Sequence, residues 1–332
     1  MRSLKFTSEE SGRVDRVLTS EIGESRSQIR RLISAGAVKV NGKSVKKGGY
    51  LVSKGDVVEY ILSDGAIPDR VLDIDFDIDI IYEDMDILVI NKPSKLVVHP
   101  APSVKGATVV DWLTDRGFSL STIAGEYRSG IVHRLDRDTT GVMVIAKTNM
   151  AHRALSEQLK DRSMGRYYLA LIDYPLKDNS IVEKPIGRNH KNRLKMDIVG
   201  DGRYAKSAFY KILEGRASLE LIAVKLYTGR THQIRVHLNS IGRHILGDIL
   251  YGFKSKQDTI DRVMLHAYKL YLIHPTRDER MEFVAPLFSD MREFIYQNFN
   301  QGEVDEKICP DIIDSYFYDV SRWVQFKQHG RL

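Results

Sequence analysis

A charged loop that runs directly into an apolar stretch is the most chemically suggestive part of the chain. Residues 131–147 read I-V-H-R-L-D-R-D-T-T-G-V-M-V-I-A-K, and the apolar residues 142–146 predict a buried strand. Because a buried strand fixes the residues before it, Asp136 can be aimed at a substrate as a carboxylate in a free loop cannot. The pattern therefore indicates chemistry at a carboxylate. The alternative is a solvated connection that only keeps the strand end soluble.

A second unusual run, T-G-R-T-H-Q-I-R-V-H-L at residues 228–238, argues that the charged loop belongs to a site. Arg235 in this run is placed to lie half buried at the edge of a helix, where it can form a forked ion pair with a carboxylate. The alternative is a surface cation, which contributes little. If Thr231 caps the helix, its inward apolar stripe comprises Ile234, Leu238 and Ile241.

The order of several short motifs resembles one known family. H-R-L-D-R-D-T-T-G at residues 133–141, followed by the second run and by G-D-I-L-Y-G at residues 247–252, is similar to the RluA-type RNA pseudouridine synthases. The resemblance implies an α+β fold, with a mixed, mostly antiparallel sheet in the catalytic domain and a small N-terminal α/β RNA-binding domain. The other matching motifs are N-K-P (91–93), V-V-H-P (97–100), R-Y-Y-L-A (166–170), P-I-G-R (185–188), L-H-A (265–267) and H-P (274–275).

The family's reaction explains which residue types it needs. Pseudouridine formation breaks the bond between the ribose anomeric carbon and a uracil nitrogen, turns the base and rejoins it through carbon five. It requires an ionised carboxylate and a group that removes the proton from carbon five, without metal or organic cofactor. The resemblance assigns the carboxylate to Asp136, by covalent attack or by elimination, and its cationic partner to Arg235. It makes Tyr168 the ring that stacks on uracil and shuttles a proton, opposite Ile234. The alternative is that Tyr168 is an ordinary core aromatic of its strand.

A uridine that is stacked in folded RNA cannot reach a pocket, so such an enzyme must extrude the base and fill the vacated space. The resemblance implies that Arg134 is the wedge, because its planar guanidinium can lie against neighbouring bases. His133 is expected beside it as a further substrate-binding residue. A loop-stabilising ion pair with Asp136 or Asp138 is the alternative role of Arg134.

Three other chemistries are not supported by the spacing. His232 and His237 are five residues apart, without H-E-x-x-H or paired Cys-His spacing, so we predict no metal site. H-R-L-D displaces the aspartate by one place from the kinase loop H-R-D, and no glycine-rich phosphate loop precedes it. The alternating aspartates from Asp73 do not form a calcium loop, because the sixth position, which must be glycine, is Ile78.

The first 60 residues form a basic unit, with 12 Lys and Arg against 7 Asp and Glu in a chain whose net charge is +6. Their pattern predicts two helices, the second with a capping box of Ser25 and Gln28 and an end at Gly36, and then a hairpin that turns at Asn41-Gly42. This order resembles the S-four RNA-binding module, and the alternative is a solubilising appendage. The module implies phosphate contact without base reading, which we expect from Arg26, Arg30, Lys46 and Lys47.

The pattern of apolar, charged and aromatic residues along the chain predicts its secondary structure and domains. Apolar residues alternate with aspartates over residues 73–80, which predicts a half-exposed strand, and helices are expected near Asp111 and Ala151. Aromatic residues after position 301 predict that the C-terminal segment docks on the preceding domain. Further strands are expected at residues 87–90, 142–146, 168–172 and 219–227. The predicted parts are an S-four-type RNA-binding domain (1–62), a linker (63–69), a pseudouridine synthase domain (70–300) and a C-terminal extension (301–332).

The composition indicates the compartment and the partners that we expect for the protein. The 332-residue chain has one cysteine, Cys309, and no early apolar run that resembles a signal peptide or a spanning helix, so we expect a cytoplasmic protein without a membrane partner. We also expect a monomer. The expected partner is structured RNA, above all large-subunit ribosomal RNA, with transfer RNA or a non-catalytic role in ribosome assembly as alternatives. Two residues depart from the family pattern: Thr140 stands where serine is common, and Lys95 where glycine is usual.

Overall fold

The fold is that of a computed structural model, which describes residues 2–22, 26–62, 72, 74–101, 103–254 and 260–327. The chain divides into two compact units, Met1–Val71 and Leu72–Leu332. Within the described ranges, no helix is long and apolar enough to cross a membrane.

The first unit packs two helices against a small antiparallel sheet. Its elements are β1 (Arg2–Thr7), β2 (Gly12–Arg13), α1 (Val14–Ile22), α2 (Arg26–Ser34), β3 (Val38–Val40), β4 (Lys43–Ser44), β5 (Leu51–Val52) and β6 (Val57–Leu62). The sheet has the order β1-β6-β3-β4, and β2 pairs with β5. Leu18, Ile29 and Val58 are fully buried in the core between helices and sheet.

The turns of this unit follow the predicted chemistry. Gly36 has a φ of 72° just after α2, and Asn41 and Gly42 have φ values of 49° and 76° between β3 and β4. Two successive left-handed residues match the twist of a two-residue hairpin, which explains the Asn-Gly pair. The predicted capping box of Ser25 and Gln28 and the predicted linker at 63–69 lie outside the described residues.

The second unit is built on one large sheet. Its elements are β7 (Asp79–Glu83), β8 (Ile87–Lys92), α3 (Val109–Asp115), β9 (Thr140–Ala146), α4 (Asn149–Asp161), β10 (Gly165–Asp173), β11 (Ser180–Glu183), β12 (Ile186–Arg188), β13 (Met196–Ile198), β14 (Lys206–Glu214), β15 (Leu219–Leu226), α5 (Gln233–Asn239), β16 (His244–Ile245), β17 (Leu265–Ile273), β18 (Arg280–Val284), α6 (Ser289–Asn298), α7 (Gln301–Lys307), α8 (Pro310–Ile313) and β19 (Val324–Lys327).

The sheet has 11 strands, with the main order β19-β11-β14-β15-β10-β17-β9-β8-β7; β16 also pairs with β10, and β18 with β17. Its pairs are antiparallel except β9 with β17 and β11 with β19. The predicted mixed, mostly antiparallel sheet is therefore confirmed. All seven residues of β9 are buried, because the sheet is covered on both faces there.

Strand periodicity sends alternate residues of β8 and β9 into two cores. Val89 and Val144 belong to the large core under β10 and β15, whereas Leu88 and Met143 pack against Trp112 of α3 on the other face. The loop before β9, which contains Asp136, is thus attached to a strand that is held from both sides.

The aspartate-rich segment before β7 differs from the prediction. Residues 74–78 form no strand, and β7 begins only at Asp79. Exposure still alternates, with Ile78 buried and Asp77 exposed, and Asp77 Oδ1 accepts a hydrogen bond from Trp112 Nε1 at 3.1 Å. The alternation of apolar and acidic residues predicted which side chains face the core. Residues 74–78, however, are held by the hydrogen bond from Trp112 to Asp77 and not by a neighbouring strand.

The C-terminal segment docks on the second unit, as its aromatic residues predicted. The rings of Tyr316 and Tyr210 stack with centroids 4.1 Å apart, and Trp323 lies 5.9 Å from Tyr210. Strand β19 then adds a parallel strand beside β11 at the end of the sheet. The segment thereby covers what would otherwise be an exposed sheet edge.

Candidate active site

A cavity of about 740 Å³ opens where the loop before β9 meets β10, the end of β15 and the start of α5. Its lining includes Asp136, Tyr168, Ile234 and Arg235, together with His133 and Arg134. Eight Lys or Arg side chains line it, and Asp136 is the only carboxylate among the described lining residues. The cavity therefore suits an anionic molecule that has to meet one carboxylate.

Asp136 and Arg235 form an ion pair in this cavity. Arg235 Nη1 lies 3.3 Å from Asp136 Oδ2, across 99 positions of sequence. The side chains are 8% and 18% exposed, so the pair is shielded from bulk water while the carboxylate remains reachable from the cavity. The tertiary fold thus joins the two residues that the sequence analysis paired.

A second carboxylate, that of Asp248, binds the other edge of the Arg235 guanidinium. Arg235 donates from Nε to Asp248 Oδ2 at 2.7 Å and from Nη2 to Oδ1 at 2.8 Å. Burial opposes the charge of Arg235, but the hydrogen bonds and charge of Asp248, aided by Asp136, hold the pKa of Arg235 above its usual range. Sequence reasoning missed Asp248, although its place as the single acid of G-D-I-L-Y-G was an available signal.

Tyr251 and His232 complete the support around this ion pair. The Arg235 guanidinium lies 4.9 Å from the centre of the Tyr251 ring, a cation–π distance. The Tyr251 hydroxyl lies 2.8 Å from His232 Nδ1, and His232 Nε2 lies 4.0 Å from Asp136 Oδ1. Burial lowers the pKa of His232, although Asp136 opposes the shift. Neither residue was singled out for the site from the sequence.

Helix α5, which carries Arg235, begins differently from the prediction. Its N-cap is His232, in the left-handed region with a φ of 56°, and Thr231 does not cap it. The buried Gln233 side chain closes the preceding loop instead, because its Oε1 accepts a hydrogen bond from the Arg230 amide at 3.0 Å. Residues 233–238 are all buried, so the helix packs on every side and not along one stripe.

Lys92 anchors the loop that carries Asp136. Its fully buried ammonium donates to the carbonyl oxygens of Pro93 at 2.7 Å, Leu96 at 2.8 Å and Arg137 at 3.1 Å. Burial lowers the pKa of Lys92 to about 7, and nearby carboxylates oppose the shift. The bond to Arg137 ties the residue after Asp136 to the turn that follows β8.

The two departures from the family pattern preserve the local geometry. Lys95 adopts a φ of 62°, the left-handed backbone that glycine favours, and its ammonium lies 2.8 Å from Asp261 Oδ2 on the surface. Thr140 keeps the hydroxyl of serine and places it 2.8 Å from His266 Nδ1. Neither substitution removes a group from the cavity.

Tyr168 and Ile234 lie in the cavity wall, 5% and 4% exposed. The Tyr168 hydroxyl makes no hydrogen bond within the described part of the chain, so it is available to a bound molecule. Burial raises the pKa of Tyr168; Arg166 opposes the shift and Asp136 adds to it. The hydroxyl therefore carries its proton at neutral pH.

Arg134 and His133 have different surroundings. Arg134 is exposed, and its Nη1 lies 3.3 Å from His99 Nε2, while the carboxylate of Asp138 pairs with Arg137 at 3.5 Å. The alternative ion pair of Arg134 with Asp136 or Asp138 is not formed. His133 is buried, and its Nε2 accepts a hydrogen bond from the Val144 amide at 3.1 Å.

The other histidine of the second run has a structural role. His237 is fully buried, with Nδ1 3.0 Å from Ser207 Oγ and Nε2 3.1 Å from the Lys184 carbonyl. Across the residues with described positions, no group of three His, Cys, Asp or Glu side chains could hold a metal ion.

Comparison with known proteins identifies the family. A family model described as RNA pseudouridylate synthase matches residues 86–240, and an S4 domain model matches residues 12–58. A protein of Helicobacter pylori (strain J99) named "Uncharacterized RNA pseudouridine synthase" is 45% identical over 304 residues, which are 89% of this chain and 92% of that protein. The chain belongs to the RNA pseudouridine synthase family. It is thus an isomerase that acts on RNA, and the predicted family, fold class and N-terminal RNA-binding module are confirmed.

Two further proteins extend the comparison. The "Ribosomal large subunit pseudouridine synthase D" of Zymomonas mobilis is 38% identical to this synthase over 84% of the chain and 92% of the relative. The solved structure of human RNA Pseudouridylate Synthase Domain Containing 1 covers 67% of this synthase and 94% of its own chain, with 24% identity and a TM-score of 0.51. The second likeness concerns the fold alone.

In the S4 unit of this synthase, Arg30, Lys46 and Lys47 are exposed on the surface. The side chain of Arg26 lies outside the described residues. Exposed cations on an RNA-binding module are suited to phosphate contact.

Proposed function

We propose that this synthase converts uridine to pseudouridine in structured large-subunit ribosomal RNA, with Asp136 as the catalytic carboxylate. The supporting observation is the position of Asp136, the only carboxylate among the described residues of a cationic cavity and 3.3 Å from Arg235. A carboxylate repels the phosphates of bound RNA, so its presence here is explained by chemistry and not by binding.

The reaction runs through the bond between carbon 1′ of ribose and nitrogen one of uracil. Asp136 attacks carbon 1′ or stabilises its developing positive charge, and the electron pair of the broken bond passes to the base. The base turns between Tyr168 and Ile234, and its carbon five forms a new bond to carbon 1′. Where Asp136 has attached to carbon 1′, that ester bond breaks in this step and the carboxylate is released. Carbon five loses a proton, which the Tyr168 hydroxyl relays, and nitrogen one gains a proton, so the product is an isomer of the substrate.

Arg134 fills the space that the extruded uridine leaves. Its exposed guanidinium stands at the cavity, two residues before Asp136, and is held by His99 instead of a carboxylate. A guanidinium without a carboxylate partner can stack on the neighbouring bases without breaking an ion pair. His133 lines the cavity beside Arg134.

The preference for large-subunit ribosomal RNA is supported by the name of the Zymomonas mobilis relative and by the S4 module with exposed Arg30, Lys46 and Lys47. Arg26 belongs to the same proposed phosphate contacts. We also propose that the protein acts as a monomer in the cytoplasm, where ribosomal RNA is modified before and during assembly.

The proposal is tested by tritium release from RNA labelled at carbon five of uridine. Wild type should release tritium from large-subunit ribosomal RNA, and Asp136→Asn should not, although it still binds the RNA. Asp138→Asn is the matched control, since Asp138 lies in the same loop but outside the cavity lining.

Other outcomes of the tritium-release assay would contradict parts of this proposal. Equal activity of wild type and Asp136→Asn would refute the assignment of the carboxylate. Faster release from transfer RNA would move the substrate to that class, and free uracil in the products would indicate base excision. RNA binding without tritium release from any RNA would leave an assembly factor without turnover.

A further inference from the structure

Arg166 is a buried cation without a partner in the wall of the cavity. It lies on β10, two residues before Tyr168, and is 9% exposed. Within the described part of the chain, its guanidinium has no carboxylate within ion-pair distance and makes no hydrogen bond, and its Nε is buried and unsatisfied. A buried charge that is neither paired nor hydrogen-bonded is costly, so its place in the wall calls for an explanation.

The surrounding backbone makes room for this guanidinium. A Cβ atom added to Gly229 would lie 2.8 Å from Arg166 Nη1 and 3.4 Å from Nη2. Only glycine at this position lets the guanidinium occupy its place against the loop between β15 and α5. The space left by Gly229 thus accommodates the unpaired cation.

His133 supplies a second buried donor on the same wall. Its Nε2 accepts a hydrogen bond from the Val144 amide, so the ring proton is on Nδ1, which is buried and has no partner among the described residues. Burial, together with the charge of Arg166, lowers the pKa of His133 to about 3, so the ring stays neutral and this tautomer persists. Arg166 and His133 thus both present N–H groups without an acceptor.

The missing partner has to be an acceptor with negative charge. Asp136, the only carboxylate among the described lining residues, is already paired with Arg235 at 3.3 Å. A uracil carbonyl would accept hydrogen bonds but would leave the buried charge of Arg166 uncompensated. A phosphodiester group supplies both oxygen acceptors and one negative charge, and it accepts a guanidinium in forked geometry.

We propose that Arg166, assisted by His133, binds one phosphodiester of the RNA backbone beside the target uridine. The inference rests on the proposed function, because Tyr168 is the ring expected to contact the uracil. Residues two apart on a strand point to one face and lie about 7 Å from each other, so one nucleotide can reach both side chains. The contact would hold the sugar of the extruded nucleotide against Asp136.

Arg166→Met should weaken RNA binding and make the free protein more stable. It keeps an apolar stem of similar length and removes the unpaired charge, so the Tm of the free protein should rise by a few degrees. A purely structural arginine would show the opposite, a lower Tm. Added inorganic phosphate should raise the Tm of wild type more than that of Arg166→Met. Arg153→Met, at an exposed arginine outside the cavity lining, is the matched control and should change neither quantity.

The decisive measurement is a binding scan with RNA that carries a single methylphosphonate linkage near the target uridine. One position should weaken binding by wild type but not by Arg166→Met, which has already lost that contact. Gly229→Ala, which pushes the guanidinium out of place without removing it, should bind unmodified RNA more weakly and, like Arg166→Met, should lose no further affinity when that position carries the methylphosphonate. If the methylphosphonate at every position reduced the RNA affinity of wild type and of Arg166→Met equally, the proposed anion site would be overturned.

The methylphosphonate scan and the tritium assay test separate proposals, so either proposal can be refuted without the other. Tritium release by wild type without a position specific to Arg166 would remove the anion site and keep the proposed function. A position specific to Arg166 without tritium release would keep the anion site and remove the proposed function.

Discussion

The Arg235 guanidinium is held more closely by Asp248 than by Asp136. Its two bonds to Asp248 measure 2.7 and 2.8 Å, whereas the contact with Asp136 Oδ2 measures 3.3 Å. Asp248 is 1% exposed and does not line the cavity, so its role is to orient the cation. Arg235 is therefore in place before any substrate binds, which is what electrostatic support of the proposed catalytic carboxylate requires.

Asp248→Asn should impair both stability and catalysis. Removing one partner of a buried ion pair costs about 3 kcal/mol or more, which denaturant unfolding will measure. A guanidinium that shifts by 1 Å should slow the chemical step by about 100-fold in single-turnover tritium release. Asp261→Asn, at an exposed pair with Lys95, is the control and should change neither quantity appreciably. Unchanged turnover in Asp248→Asn would mean that Arg235 needs no orienting partner.

Tyr168→Phe separates the ring from its hydroxyl. Because the hydroxyl makes no hydrogen bond within the described part of the chain, the free energy of unfolding should change by less than about 1 kcal/mol. RNA affinity should persist, since the ring still stacks, while kcat falls by about 100-fold or more if the hydroxyl relays a proton. Wild-type kcat in this variant would assign the proton relay to another group.

Lys92→Met should flatten the pH dependence of stability. Burial holds the pKa of Lys92 near 7 in the folded protein, whereas the usual value is 10.5. Between these values the unfolded chain binds one proton more, so the free energy of unfolding of wild type rises with pH, by up to about 1.4 kcal/mol per pH unit. Unfolding of both proteins across this window measures the two slopes, and equal slopes would show that the buried amine is not neutral there.

The double variant Lys46→Ala/Lys47→Ala should bind RNA more weakly and with a shallower salt dependence. Loss of two phosphate contacts lowers the slope of log affinity against log salt by about two. Turnover of a short RNA that occupies only the cavity should be unchanged. The control carries Arg153→Ala and Arg292→Ala, two exposed arginines of the second unit. If both double variants show the same slope, the S4 lysines make no special contact.

Local pattern predicted much of the scaffold because the forces that shape it act over a few residues. The Asn41-Gly42 turn, the buried strand after Asp136 and the helices at Asp111 and Ala151 all formed where the sequence placed them. The prediction failed where a distant partner intervened. Residues 74–78 have the alternation of a strand, yet Asp77 is engaged by Trp112, 35 residues away, and the segment forms no ladder.

The sequence by itself determined the family, the order of its motifs and the pairing of the Asp136 carboxylate with the Arg235 guanidinium. It could do so because residue type and spacing are local properties. Only the tertiary structure decided how that pair is held. It brought Arg235 to Asp136 across 99 positions, placed Asp248 behind the guanidinium, and closed the start of α5 with Gln233 instead of Thr231. Those choices depend on which polar groups meet once the apolar surfaces are buried, and packing between distant segments sets that outcome.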